Sequence, residues 1–146
     1  MLRDTTLCFF RRVSPNNAKQ QILLGMKKRG FGVGFWNGAG GKFNKEQDKT
    51  IADTASREAL EEFGLLPQTL VPRGTVTFYY DANPNWNNCC YIFTCTSWTG
   101  QLTESEEMKP EWWDLDAIPF SQMWADDSIW LPDMLSHQDP LSYTFW

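Results

Sequence analysis

The sequence is poor in the residues and segments that define several classes of protein. Its single histidine, His137, and its four cysteines lack the paired spacing of a zinc site. No apolar run is long enough to cross a bilayer, and the stretch from Leu7 to Phe10 is too short for the core of a signal peptide. No internal repeat or low-complexity linker is present. We therefore expect a soluble, cytoplasmic protein whose cysteines are free thiols in a reducing compartment.

Positive charge is scarce as well. The chain has 13 Lys and Arg against 18 Asp and Glu, which gives a formal net charge of −5. This balance argues against binding nucleic acid polymers through a basic surface, although a metal ion and local lysines could still admit a small anion to one cleft. With 146 residues and a hydrophobic content of 42 %, the sequence predicts one globular domain spanning residues 1–146, which we expect to be a monomer without membrane contact.

The most informative stretch runs from Gly38 to Leu65 and reads as a glycine-rich turn, a polar loop and a short acidic helix. Thr50 followed by Asp53 has the spacing of a capping box, and Gly64 supplies the left-handed stop that helices favour. At about 100° per residue, three glutamates share one side of this helix. They are Glu58, Glu61 and Glu62, and the neighbouring apolar side is formed by Ala52, Ala55, Ala59 and Phe63.

The acidic side of the helix has two interpretations. A solvated surface is the commoner one, although like charges at this spacing cost about 0.2–0.5 kcal/mol per pair and only Arg57 offsets them locally. However, the glutamates lie beside the apolar side, as on the floor of a cleft, and follow a turn whose bare backbone could approach phosphate or expose carbonyls to a cation. That turn comprises Asn37, Gly38, Ala39, Gly40, Gly41 and Lys42. Carboxylates on consecutive turns, together with water and substrate phosphates, suit Mg²⁺.

The segment Arg57–Leu65, with the pattern Arg-Glu-x-x-Glu-Glu-x-Gly-Leu after a Gly-Gly turn, resembles the Nudix box. Further similarity, from about Thr6 to about Leu135, is to the MutT-type hydrolases of oxidised purine nucleoside triphosphates within that family. It includes the segments 23–32, 36–38, 104–110 and 118–128. The resemblance implies an α+β fold, an α/β/α sandwich with a mixed sheet. It also implies hydrolysis of a nucleoside triphosphate to the monophosphate and pyrophosphate with Mg²⁺, or Mn²⁺ as the alternative ion.

The resemblance also implies a set of catalytic and metal-binding residues. The metal ligands would be Glu58, Glu61, Glu62, Glu107 and a backbone carbonyl around Gly40. Either a carboxylate of the Glu61–Glu62 pair or Glu107 would activate the water. Arg57 would hold the helix carboxylates in register. Lys42 lies beside the glycine turn and could therefore touch phosphate.

A second set of residues is expected to read the purine. Asn37 offers an amide that can both donate and accept, and Trp124 offers a flat face for stacking. Asp126 and Asp127 are adjacent acids that could simply cap a helix. If they face a purine, burial and mutual repulsion would keep one of them protonated as a donor, so that 8-oxoguanine and 2-hydroxyadenine are both accepted. The resemblance adds further pocket residues: Thr6, Lys27, Phe31, Phe78 and Met108, with the backbone of Ala39, Gly40 and Gly41. The alternatives are a place in the core for Thr6, Phe78 and Met108 and a solvated loop for Lys27.

Two departures from the family pattern leave alternatives open. The loop after Gly41 is about two residues longer than in the pattern, so the first glutamate of the box falls on Lys49. Glu46 or Asp48 could replace it, and the spacing does not choose between them. The alternative functions are a Nudix hydrolase for another nucleotide, such as an alkylated purine triphosphate or a dinucleoside polyphosphate, and a nucleotide-binding module without turnover. Lys49 and the longer loop are the observations that favour the last.

The rest of the chain alternates strand and turn signals. Strands are predicted at 5–13 and 21–26, which form a hairpin, at 74–80, at 89–98 in the centre of the sheet, and at 112–115. Asp116 and Ser121 mark short helical turns, and a closing helix is predicted at 129–135. No element is assigned after that helix, so an edge of the sheet would need cover.

Overall fold

A computed structural model describes residues 2–146 of the chain. Within that range, seven strands form one mixed sheet: β1 (Arg3–Val13), β2 (Gln20–Lys27), β3 (Trp36–Asn37), β5 (Val71–Phe78), β6 (Asn88–Cys95), β8 (Met108–Asp114) and β9 (Leu141–Phe145). Their order in the sheet is β3-β2-β1-β6-β5-β9, with β8 paired to β2. Two further strands, β4 (Leu65–Pro67) and β7 (Trp98–Gly100), pair separately, and the helices are α1 (Ile51–Phe63) and α2 (Asp127–Ser136).

The acidic helix α1 forms where local signals predict it. The Thr50 hydroxyl accepts from the Asp53 N–H, and the Asp53 carboxylate accepts from the Thr50 N–H, which completes the capping box. At the other end Gly64 adopts a left-handed conformation with φ of 75°, and its N–H donates to the Leu60 carbonyl. Both ends of the helix are thus fixed, which gives the glutamates on it defined directions.

The core is divided between the two faces of the sheet, as the period of two along a strand requires. Phe9 of β1 packs toward α2 with Trp130 and Leu131. Its neighbour Phe10 packs toward α1 with Phe63. The arrangement is an α/β/α sandwich with a mixed sheet, which confirms the predicted fold class.

The glycine-rich turn lies inside the sheet. β2 pairs with β1 only near the hairpin, where Ile22 is opposite Arg11, and the two strands then separate. The turn after β3 occupies the gap: the amide and carbonyl of Ala39 both bond to Cys8, and the Gly41 carbonyl accepts from the Thr6 N–H. Two isolated bridges to β1 therefore hold the turn in the plane of the sheet.

Each predicted strand has a counterpart with different ends, whereas the short strands β3, β4 and β7 are not predicted as separate strands. β8 begins at Met108 and includes Pro110, whereas the sequence predicts a start at Trp112. The strand tolerates this proline because β8 pairs only with β2. The backbone nitrogen of Pro110, which has no hydrogen to donate, faces the open edge of the sheet. The unpredicted strand β9 runs parallel to β5 and covers the edge that the sequence analysis leaves open.

Neither α1 nor α2, the helices of residues 2–146, has the length and hydrophobicity that crossing a membrane requires. Cys8, Cys89, Cys90 and Cys95 are free thiols, as predicted, and only Cys89 is not fully buried.

Candidate active site

Arg57 is held by a carboxylate from the longer loop, and that carboxylate is Asp48. The guanidinium donates through Nε to Oδ1 (2.9 Å) and through Nη2 to Oδ2 (2.9 Å) of Asp48. Asp48 also accepts from the Thr54 hydroxyl (2.8 Å) and the Asn44 N–H (3.0 Å), and its side chain is 1 % exposed. Hydrogen bonds from Arg57 above all hold the pKa of Asp48 well below its usual range. Asp48 therefore occupies the supporting role, while Lys49 is exposed.

Glu58 and Glu62 lie against the glycine turn. Glu62 is buried, and its Oε1 accepts from the Gly40 N–H at 2.8 Å. Glu58 accepts from Arg57 Nη1 at 2.9 Å, and a Cβ added at Gly41 would lie 2.4 Å from Glu58 Oε1. A Cβ at Gly40 would lie 1.8 Å from the Thr6 carbonyl oxygen. A side chain at Gly40 would thus clash with the backbone of β1, and a side chain at Gly41 would push the Glu58 carboxylate out of its position.

The ionised forms of Glu58 and Glu62 are destabilised by burial, which raises the pKa of both side chains. Burial raises the pKa of Glu62 to about 7, with Glu58 and Glu107 adding repulsion and the Gly40 N–H opposing it. Burial likewise raises the pKa of Glu58, although Arg57 opposes the change. Removing carboxylates from water without full compensation by positive charge has this effect. The pair is a site at which a bound cation would be stabilising.

The other two predicted acidic ligands are placed differently. The Glu61 side chain is 58 % exposed, with Oε1 3.8 Å from Arg57 Nη1. Glu107 is bonded to Lys27 at 2.9 Å and to Arg29 at 2.8 Å. Among residues 2–146, no three His, Cys, Asp or Glu side chains converge as ligands would around one ion. The metal roles of Glu61, Glu107 and the Gly40 carbonyl remain predictions.

A cleft of about 170 Å³ connects the buried glutamate to an aromatic group. Its lining residues that the sequence analysis predicts are Lys27, Phe31, Asn37, Gly40, Glu62, Met108 and Trp124. The lining residues that it misses are Leu7, Gly32, Phe35 and Gly38. The structure therefore places members of the predicted phosphate and base sets along one cavity.

Aromatic rings close the far end of this cleft. Phe31 stacks on Trp124 with centroids 5.2 Å apart and an interplanar angle of 19°. Phe35 contacts the same indole at 4.8 Å, and the sequence offered only its place in a glycine-rich loop as a signal. Phe31 is 64 % exposed. A flat aromatic ring is thus already accommodated on Trp124, as a purine would be.

Two predicted residues are buried with polar atoms that lack a hydrogen-bond partner. Asp127 accepts from Trp130 Nε1 through Oδ1 (3.2 Å), whereas its Oδ2 and the hydroxyl of Thr6 have no partner in the described residues. Burial, with a smaller contribution from Asp126, raises the pKa of Asp127 to about 7. Asp126 precedes α2 without capping it through its side chain. Unsatisfied buried polar groups call for an explanation, and a ligand is one.

The remaining predicted residues do not line this cleft. Ala39 is fully buried in the turn, and Phe78 is half-buried against Phe145. Lys42 lines two neighbouring cavities. One, of about 690 Å³, adjoins Arg57 and Glu58, and the other, of about 330 Å³, lies between Arg3, Phe31, Tyr80, Trp86 and Asn88.

The fold and the carboxylate helix together define a known class of protein. Residues 11–134 match the NUDIX domain, and the chain belongs to that family. Among solved structures, the MutT protein of Bacillus halodurans superposes with a TM-score of 0.73 at 24 % identity, over 99 % of this chain and 90 % of that one.

Closer similarity is found to two vertebrate proteins, each named oxidized purine nucleoside triphosphate hydrolase. The protein of Danio rerio is 47 % identical over 123 residues, which cover 84 % of this chain and 77 % of that protein. The protein of Mus musculus is 49 % identical over 116 residues, which cover 80 % and 72 % respectively.

Proposed function

We propose that the protein is a Mg²⁺-dependent pyrophosphohydrolase that converts oxidised purine nucleoside triphosphates to the monophosphate and pyrophosphate. The observation that supports this most directly is the single cleft that joins Glu62 and Gly40 to Asn37 and Trp124. It offers a hydrolytic end and a base-binding end at once. The similarity to the two vertebrate hydrolases supports the same substrate class.

The donor set at the hydrolytic end fits a hard divalent cation. Glu58 and Glu62 provide carboxylate oxygens on adjacent turns of α1, and the pKa of Glu62, raised to about 7 mainly by burial, favours a nearby positive charge. Glu61 at the exposed rim and Glu107 would complete the set by moving inward. When bound, Mg²⁺, or Mn²⁺ in its place, neutralises the phosphates and activates water. The Asp48–Arg57 pair keeps Glu58 in position for this task.

The base-binding end has donors for a purine carbonyl. Asn37 Oδ1 accepts from the Gly38 N–H at 2.8 Å, which leaves the amide nitrogen to donate to a ligand. Asp127, with its pKa raised to about 7 by burial, holds a proton in a large share of molecules at neutral pH and can donate as well. Trp124 stacks on the ring, which elsewhere contributes about 1–3 kcal/mol per base. In this arrangement Phe31 moves aside as the purine enters.

The test is pyrophosphate release from 8-oxo-dGTP in the presence of Mg²⁺. We expect turnover by the wild-type protein and its loss in Glu62→Gln. A panel that compares kcat/KM for 8-oxo-dGTP, 2-hydroxy-dATP, dGTP, dATP and an alkylated dGTP, repeated with Asp126→Asn and Asp127→Asn, assigns the base. Release no greater than that of Glu62→Gln would reject the proposal.

One observation favours a second candidate substrate. The cavity of about 330 Å³ shares Phe31 with the cleft and adds the rings of Tyr80 and Trp86 beside two cations, Arg3 and Lys42. A second nucleobase would fit such surroundings, so a dinucleoside polyphosphate belongs in the same panel. The interpretation as a module without turnover loses its support, because Asp48 supplies the contact to Arg57 that Lys49 cannot.

We further propose that the chain acts as one monomeric domain in the cytoplasm, removing damaged nucleotides before they enter DNA. Its four free cysteines suit a reducing compartment. Its net charge of −5 suits a small nucleotide better than a nucleic acid polymer.

A further inference from the structure

A cluster of ion pairs fixes Glu107 at the edge of the cleft. Lys27 Nζ lies 2.9 Å from Oε2 of Glu107, and Arg29 Nε lies 2.8 Å from Oε1. Arg29 also contacts Glu106, with Nη2 and Oε2 3.3 Å apart. Both carboxylate oxygens of Glu107 are thus bonded to cations. A carboxylate in this state is a weaker ligand to a metal ion, because these contacts have to loosen before it can turn toward one.

Lys27 connects this cluster to the hydrolytic end of the cleft. It lines the cleft together with Glu62. Burial is the main influence on the pKa values of Glu58 and Glu62, and it raises both. The positive charge of Lys27 lowers both pKa values, whereas the negative charge of Glu107 raises that of Glu62. The ammonium group of Lys27 is therefore bonded to Glu107, and its charge also favours the ionised forms of Glu58 and Glu62. A phosphate group that enters the cleft competes with Glu107 for the same ammonium.

We propose that Lys27 and Arg29 form a latch that withholds Glu107 from the Glu58–Glu62 pair until the phosphates of a nucleotide draw Lys27 away. Arg29 is the positioning residue of this latch, since it touches Glu107 and does not line the cleft. The proposal rests on the proposed function for the identity of the anion only. Its consequence is a coupling between nucleotide and divalent cation, in which each strengthens the binding of the other.

The same loop provides a matched control. Lys28, the neighbour of Arg29, places its ammonium 2.6 Å from Oε2 of Glu104 and 2.8 Å from the Ser105 carbonyl oxygen. Lys28→Gln and Arg29→Gln each remove one positive charge from adjacent positions. Only the second removes a contact to Glu107. A general change in the electrostatic potential would affect both variants alike.

The experiment measures Mn²⁺ binding from the electron paramagnetic resonance signal of the free ion. Without nucleotide, we expect Arg29→Gln to bind Mn²⁺ about two- to fivefold more tightly than wild type, as for the loss of one exposed ion pair. Lys28→Gln should match wild type. Adding 8-oxo-dGMP should tighten Mn²⁺ binding in the wild type and do so less in Arg29→Gln.

A double-mutant cycle with Glu107→Gln assigns the effect to Glu107. Arg29→Gln should have no effect on Mn²⁺ affinity when Glu107 is already replaced. Equal affinities of Arg29→Gln and Lys28→Gln, weaker binding by Arg29→Gln, or an undiminished effect in the Glu107→Gln background would each overturn the latch. Because the measurements without nucleotide require neither turnover nor a particular base, absence of 8-oxo-dGTP hydrolysis would reject the proposed function and leave this result standing.

Discussion

Replacing Glu62 by glutamine should stabilise the protein at alkaline pH while removing its activity. Burial raises the pKa of Glu62 from 4.5 to about 7, so the folded chain keeps this proton over a pH range in which the unfolded chain has released it. The free energy of unfolding therefore falls as the pH rises from about 4.5 to about 7 and stays low above it. Glutamine does not ionise at these pH values, and its amide oxygen can still accept a hydrogen bond from the Gly40 N–H.

The size of the effect follows from the pKa change. At about 1.4 kcal/mol for each tenfold change in proton affinity, the penalty for ionised Glu62 reaches about 3 kcal/mol. We therefore expect Glu62→Gln to exceed the wild type in free energy of unfolding by up to about 3 kcal/mol at pH 8. At pH 5 the expected gain is below about 1 kcal/mol. Urea denaturation in metal-free buffer at both pH values measures the difference.

Glu61→Gln provides the comparison, because the Glu61 side chain is 58 % exposed and its replacement should change stability by less than about 0.5 kcal/mol at either pH. Mg²⁺ added at pH 8 should stabilise the wild type, since it binds the folded state, and should stabilise Glu62→Gln less. A variant that is no more stable than the wild type at pH 8, or equally stabilised at pH 5, would refute the idea that the buried charge of Glu62 is costly without a cation.

Three further predictions concern the support of Arg57, the glycine turn and the base pocket. Asp48→Ala removes both hydrogen bonds that Asp48 accepts from Arg57, so it should cost about 2–3 kcal/mol of stability and reduce kcat. The control Lys49→Ala should change neither quantity beyond experimental error. Urea denaturation measures the stability, and steady-state kinetics measure kcat. Gly41→Ala places a Cβ 2.4 Å from Glu58 Oε1, so kcat should fall ten- to a hundredfold with an unchanged circular dichroism spectrum. In the wild type, the ratio of kcat/KM for 8-oxo-dGTP to that for 2-hydroxy-dATP should change with pH near 7, where Asp127 titrates. Asp127→Asn should make that ratio independent of pH, and a ratio that still varies would exclude Asp127 as the titrating group.

The elements that the sequence predicts well are those whose signals are local. Helix α1 could be predicted with its caps because Thr50, Asp53 and Gly64 lie within the chain segment that they fix. The sandwich architecture follows from strand periodicity, since adjacent residues such as Phe9 and Phe10 enter opposite cores. Strand β9 escaped prediction because its partner β5 lies far away in the sequence.

The parts of the site that could not be predicted depend on distances between remote segments. Glu46, Asp48 and Lys49 are neighbours in one loop, and only the path of that loop determines which side chain reaches Arg57. The pairing of Glu107 with Lys27 joins residues 80 positions apart. Sequence similarity suggested both residues for the site, but it does not show that they are bonded to each other.

The contact between Asp48 and Arg57 shows how a loop can change length and still place a carboxylate against the guanidinium group. An aspartate is one methylene shorter than a glutamate, so its backbone has to come nearer to the guanidinium. The two extra residues allow this, since the segment curls into a turn in which the Asp48 N–H donates to the Asn44 carbonyl at 2.7 Å and the Asn44 N–H donates back to the carboxylate. A search pattern that demands glutamate at a fixed interval would therefore overlook proteins that place an equivalent oxygen at the same point in space.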